Sequence, residues 1–171
     1  DKLVTGVQTC ALPILFAAAG SKRMVSIDLH SGQIQGFFSG PVDHLTAMPV
    51  LEKYVRSNVR DGVVIVSPDA GRVKVAERFA QHLADMNADV AFINKRRPKG
   101  TTNVAVAKEV IGEVEGKLCI LTDDMIDTGG TIVSAAELLI ERGAREVWAM
   151  ATHGVLSGPA IERLAKARSE E

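Results

Sequence analysis

Aromatic residues, cysteine and net charge are all in short supply, and each shortage narrows what this chain can do. Aromatic side chains make up 4% of the 171 residues, and the formal net charge is -1. A nucleic acid or a membrane surface as main partner would call for a basic excess that is absent, which leaves a small molecule. The two cysteines, Cys10 and Cys119, lie far apart and in no metal-ligand spacing; Cys119 sits inside an apolar run where a small hydrophobe is wanted. A reduced, cytoplasmic setting fits that usage. No apolar stretch reaches the roughly 18 residues that a membrane-spanning helix needs. The opening DKLVTGVQTCALPI has one lysine, no secretory pattern and no helical or alternating period, so it is expected to contribute little to the fold.

What is present is enough apolar residue, 46%, to bury the core of one ordinary domain or parts of two. Five short apolar runs read as buried strands: MVSI at 24–27, VVIV at 63–66, VAFI at 90–93, LCIL at 118–121 and VWAMA at 147–151. Helical periods lie between several of them. Val73, Ala76, Ala80 and Leu83 share one face, as do Ile132, Ala135, Ala136, Leu139 and Ile140, with Gly143 as a stop. A last helix is expected to open at Ser157 with Pro159 in its first turn. Strands alternating with helices predict an α/β protein, with an open, mainly parallel sheet covered by helices on both faces.

Polar groups gather where the strands end: Asp28 and His30, Ser67 and Asp69, Lys95 to Arg97, Asp123 to Thr131, Thr152 and His153. In an open α/β sheet the ligand crevice lies at the carboxyl edge, so these scattered residues become one candidate site. The competing explanation is that strand ends are where loops, and so polar residues, begin.

LTDDMIDTGGTIV, residues 121–133, carries the most chemistry. A Gly-rich turn at the mouth of a helix offers backbone N–H groups, and Thr128 and Thr131 add hydroxyls, the parts of a phosphate cradle. It is neither a Walker A loop nor a GxGxxG. Asp123 and Asp124 repel phosphate but accept hydrogen bonds from sugar hydroxyls and can help to hold magnesium. A phosphorylated sugar satisfies both halves; the plainer alternative is an acidic turn that caps a helix. Asp28 and His30, two apart on an extended chain, form either a divalent-metal pair or an ordinary hydrogen-bonded pair. Asp69, in VSPDAGRVKVAERFA, either orients a metal or a sugar hydroxyl, or caps the following helix. NKRRPKG, residues 94–100, is a basic loop expected to be mobile, and its Lys95 and Arg97 can neutralise a transferring phosphoryl group if the loop folds over the site. His44 and His82 have no such company, and His82 reads as surface.

Taken together, DLHSGQIQGFF, PVDHL, VSPDAG, NKRRP, DDMIDTGGT and ATHGVLSGPAIERL, in this order from about Leu15 to Ala167, resemble the ribose-phosphate diphosphokinase (PRPP synthetase) family. The acidic loop alone resembles that of type I phosphoribosyltransferases. The resemblance implies a type I phosphoribosyltransferase-like fold within a two-domain protein, and transfer of the diphosphoryl group of ATP to the 1-hydroxyl of ribose 5-phosphate. By position it assigns Asp127, Thr128, Gly129, Gly130 and Thr131 to the 5-phosphate and Asp123 and Asp124 to the ribose hydroxyls. Lys95 and Arg97 fall to the catalytic loop, and His30 and Asp69, with Asp28 and Asp43 nearby, to magnesium. It also implies a homo-oligomer, a hexamer in the intact enzyme.

The chain departs from the family pattern at Ser39, where Asp is common, and at Arg72, where Gly is common. Residues 15–58 are expected to be the C-terminal part of a first domain and 59–171 a truncated second one, with most of the ATP-gripping region missing and the fragment inactive alone. Residues 1–14 match nothing in the family; they resemble translated sequencing-adapter sequence and are expected to be non-native. Two other readings are a regulatory relative without activity, which loss of the basic loop would favour, and a salvage phosphoribosyltransferase, which would lack DLHSGQIQGFF and KRRP.

Overall fold

Each of the five apolar runs forms a strand, and the described residues add two strands that the apolar runs do not announce. A computed structural model describes residues 2–60, 62–96 and 107–168. They fall into two compact units, Asp1–Pro49 and Val50–Glu171.

In the first unit, helix α1 (Lys2–Ala18) precedes strand β1 (Met24–Ile27), a 3-10 turn (Gly32–Phe37) and strand β2 (Val42–Leu45). β1 and β2 pair in parallel, Met24 opposite Val42 and Ile27 opposite Leu45. The helix corrects the expectation of little structure at the N-terminus. It forms without an apolar stripe, which is why periodicity misses it: Leu12, Ile14, Leu15 and Phe16 remain at least half exposed, and Pro13 lies inside it. β2 was missed for another reason. VDHL is too short and too polar to read as a buried run.

The second unit is built on a five-stranded sheet. Helix α2 (Met48–Asn58) leads to β3 (Val63–Ser67), α3 (Val73–His82), β4 (Asp89–Arg96), β5 (Ala107–Ile111), β6 (Leu118–Ile126), α4 (Gly130–Glu141), β7 (Glu146–Gly154) and α5 (Ala160–Arg168). The strand order is β5-β4-β3-β6-β7. All neighbours are parallel except β4 and β5, which form an antiparallel pair at one edge. The carboxyl ends of β3, β4, β6 and β7 therefore share one edge, as the strand-end argument expects of them; β1, which Asp28 and His30 follow, belongs instead to the separate two-stranded sheet.

Alternation along β3 and β6 explains why both read as unbroken apolar runs. Val64, Val66, Cys119 and Leu121 join Ala91 and Ile93 and pack with Ile132, Ala135 and Leu139 of α4. Val63, Ile65 and Ile120, one residue out of step, are also fully buried, and α3, which packs against β3 and β4, contributes Phe79, Ala76 and Ala80 to the core, with Leu83 just past its end. Burial pushes the Cys119 thiol up to about 11, so it packs as a hydrophobe and is not a reactive thiolate. Ile140 departs from the expected apolar face of α4 and is 53% exposed. Gly143 does end that helix, with φ 85° and with the Ala144 N–H bonded back to the Leu139 carbonyl. α5 begins at Ala160, just after Pro159 and not at Ser157.

Candidate functional site

The loop after β6 forms because the strand runs on past its apolar part and then breaks at a glycine. β7 pairs with β6 as far as Ile126 opposite Gly154, so Asp123 and Asp124 lie within the strand and not beyond it. Gly129 then takes φ 74°, ψ -10°, a left-handed conformation that costs a side-chain-bearing residue energy, and α4 starts at Gly130. The first helical hydrogen bond runs from the Val133 N–H to the Gly129 carbonyl. The N–H groups of Gly130, Thr131 and Ile132 thus precede the helical ladder, at the positive end of the helix dipole.

The chain beyond β7 braces this loop. Leu156 N–H donates to the Ile126 carbonyl and Ser157 N–H to the Asp127 carbonyl, each at 3.0 Å. Arg163 Nη1 of α5 donates to the Thr128 carbonyl at 3.1 Å. The result is an open pocket of about 230 Å³ lined by Asp123, Asp127, Thr128, Gly129, Gly130 and Thr131, with Met125, Ile126 and Ile132 as its apolar wall. All the residues expected for the phosphate are brought together, and Asp123 joins them.

Asp124 behaves differently from its neighbour. Its side chain is 3% exposed, and Arg72 Nη2 donates to its Oδ2 at 2.5 Å. Arg72 Nε lies 3.4 Å from Asp123 Oδ1, the same oxygen that accepts the Asp124 backbone N–H at 2.8 Å. Burial, with the adjoining Asp124, pushes the Asp123 carboxyl up to about 6, while Arg72 pulls the other way. Spacing could not reveal that Arg72 meets the acidic pair, because it reaches Asp124 from 52 positions away. Arg163 was missed likewise.

The residues expected to hold magnesium divide between the two units, Asp28, His30 and Asp43 in the first and Asp69 in the second. Asp28 takes φ 45°, so β1 ends there and the extended spacing assumed for Asp28 and His30 does not hold. Asp28 Oδ2 accepts the Ala47 N–H at 2.9 Å. Asp43 pairs with Arg23 at 2.5 Å, and that hydrogen bond holds its carboxyl below the usual range. His44 has company after all: its Nε2 accepts the Leu29 N–H at 3.0 Å. In the second unit Asp69 Oδ1 accepts the Gly71 N–H at 2.8 Å, the capping role. His82 Nδ1 lies 2.5 Å from Glu52 Oε1, so it is tied to a partner on the surface. Among the described residues no three His, Cys, Asp or Glu side chains converge as a metal cage. Lys95 lies on β4 opposite Lys108, so the strand extends into the expected loop, and its side chain is outside the described set. Arg97 lies outside the described residues, as does the rest of the loop to residue 106. No helix of the described residues is long and apolar enough to cross a membrane.

The model of the phosphoribosyl synthetase-associated domain matches residues 86–171, which include the whole phosphate loop and both acids. The ribose-phosphate pyrophosphokinase of Streptomyces avermitilis is 51% identical over 158 residues, 92% of this chain and 48% of that protein. The chain belongs to the ribose-phosphate pyrophosphokinase family. The crystal structure of phosphoribosylpyrophosphate synthetase from Mycobacterium smegmatis superposes with a TM-score of 0.85 at 49% identity, over 94% of this chain and 51% of that one. The purine phosphoribosyltransferase of Pyrococcus horikoshii, 24% identical with a TM-score of 0.50 over 66% of this chain and 74% of its own, shares the fold alone. The architecture is thus type I phosphoribosyltransferase-like. The chain spans about half the length of the curated pyrophosphokinases it matches.

Proposed function

We propose that this chain carries the ribose 5-phosphate site of a ribose-phosphate diphosphokinase that moves the diphosphoryl group of ATP onto the sugar's 1-hydroxyl. The observation that carries this reading is the meeting of an anion loop, Asp127–Thr131, and a carboxylate, Asp123, in one pocket. The backbone N–H groups at the start of α4 and the Thr128 and Thr131 hydroxyls hold the 5-phosphate. The acidic pair Asp123 and Asp124 faces the ribose hydroxyls, with Asp123 lining the pocket, which leaves the 1-hydroxyl for the reaction. Its oxygen attacks the β-phosphorus of ATP as its proton passes to solvent, the bond from that phosphorus to the α-phosphate oxygen breaks, and AMP leaves. Lys95 and Arg97 neutralise the charge that gathers on the transferring group.

Magnesium would be held by one or two of His30, Asp69, Asp28 and Asp43 together with substrate phosphates, the usual arrangement for this ion. The donor set fits that role. Three carboxylates and an imidazole offer hard oxygen donors and one nitrogen, and among the described residues no three such side chains close into an all-protein cage, so substrate phosphates would complete the set. When bound, the ion supplies charge neutralisation on the ATP phosphates.

Residues 15–58 and 59–171 are read as parts of two related domains and residues 1–14 as non-native; the coding sequence at the source locus decides the last point, since an in-frame match upstream would sink it. Cytoplasmic location and hexamer assembly belong to the same reading. The test is a protein of the relatives' full length, given ribose 5-phosphate and magnesium ATP. AMP release in step with sugar consumption, from a particle of hexamer mass, is expected. A folded full-length protein that binds the sugar phosphate but releases no AMP would leave a regulatory subunit as the function.

A further inference from the structure

Arg72 lies within ion-pair distance of both acids of the pair, and its contacts are unequal. It meets Asp124 at 2.5 Å and Asp123 at 3.4 Å. Asp124 is buried and does not line the pocket; Asp123 does. Two adjacent carboxylates with little exposure cannot both stay charged without a nearby cation, and an arginine fork can serve two acceptors at once. The Asp124 N–H and Arg72 Nε approach the same oxygen, Asp123 Oδ1. Two donors on one oxygen hold the carboxylate in place at the wall of the pocket it lines.

We propose that Arg72 is the positioning residue of the diol subsite: anchored on Asp124, it orients and charge-balances Asp123, and Asp123 alone of the acidic pair reads the ribose hydroxyls. This rests on the ribose 5-phosphate reading above and narrows it. Asp124 becomes the anchor of the cation and not a sugar ligand. Arg72, which stands where glycine is common among resembling sequences, becomes part of the site's chemistry.

The test compares ribose 5-phosphate with 2-deoxyribose 5-phosphate by calorimetric titration of the full chain, since their affinity ratio isolates the hydroxyl contact from the shared phosphate. The natural chain is expected to favour ribose 5-phosphate by about tenfold, the order of one charge-assisted hydrogen bond. Arg72→Gln should bring that ratio to near unity while binding of the deoxy sugar persists, and Arg72→Lys, which keeps the charge, should restore most of it. The double variant Arg72→Gln with Asp124→Asn should discriminate no worse than Arg72→Gln alone, because the two act as one unit.

An unchanged or increased ratio in Arg72→Gln overturns the proposal, and an increase would mean that the guanidinium competes with the sugar. Circular dichroism on each variant checks folding. If Arg72→Gln does not fold, Asp124→Asn carries the test, and discrimination equal to that of the natural chain overturns the proposal. If the natural chain binds both sugars without preference, Asp123 does not read the 2-hydroxyl and the proposal is overturned; if it binds neither, the ribose 5-phosphate reading itself fails.

Discussion

Burial and the neighbouring Asp124 raise the Asp123 carboxyl from the usual 3.8 to about 6, so the folded protein holds this proton more tightly than the unfolded chain does. The stabilisation that follows is fully present below about 3.8 and is lost as pH rises through about 6. Asp123→Asn removes the titrating group. Urea midpoints measured at steps across that window should therefore fall less with rising pH in Asp123→Asn than in the natural chain; parallel profiles would contradict the assignment. At this scale the sequence was informative where chemistry is local. Asp123, Asp127, Thr128 and Thr131 lie within nine residues, and their types alone pointed to a sugar phosphate. Arg72 was seen only as a bulky cation in place of glycine, because its partners are brought to it by the pairing of β3 with β6. Asp69 stood between metal and cap, and the structure shows it capping.

An element-level requirement governs the loop. With φ 74° at Gly129 and neighbours on the missing Cβ side no nearer than 3.6 Å, an alanine there meets ordinary contacts but an unfavourable backbone. Gly129→Ala should cost about 1–2 kcal/mol, the usual penalty for a left-handed non-glycine residue. It should weaken ribose 5-phosphate and 2-deoxyribose 5-phosphate alike, since both depend on the same N–H groups. Thermal melts and the two titrations check this; selective loss of the ribose form alone would move the phosphate away from this loop. Elements were legible in the sequence where burial is two-sided, as in VVIV and LCIL. β2 and β5 escaped notice because an edge strand or a two-stranded pair needs no continuous apolar run. α1 escaped because a helix without an apolar stripe leaves no period to detect.

For the whole molecule, sequence pattern led to the mainly parallel sheet and to the shared carboxyl edge without any family knowledge, because β3, β4, β6 and β7 alternate with helices or short connections. The antiparallel β4–β5 edge was outside that pattern; it depends on a return strand, AKEVI, whose mixed polarity suits an edge. The proposed function stands on ribose 5-phosphate sitting on the loop between β6 and α4, and amide chemical-shift mapping during a ribose 5-phosphate titration tests that placement. Saturable shifts concentrated in residues 123–132 are expected, with smaller ones at Ser157 and Arg163, which brace the loop. Saturable binding with its shifts elsewhere, and none in residues 123–132, would contradict it.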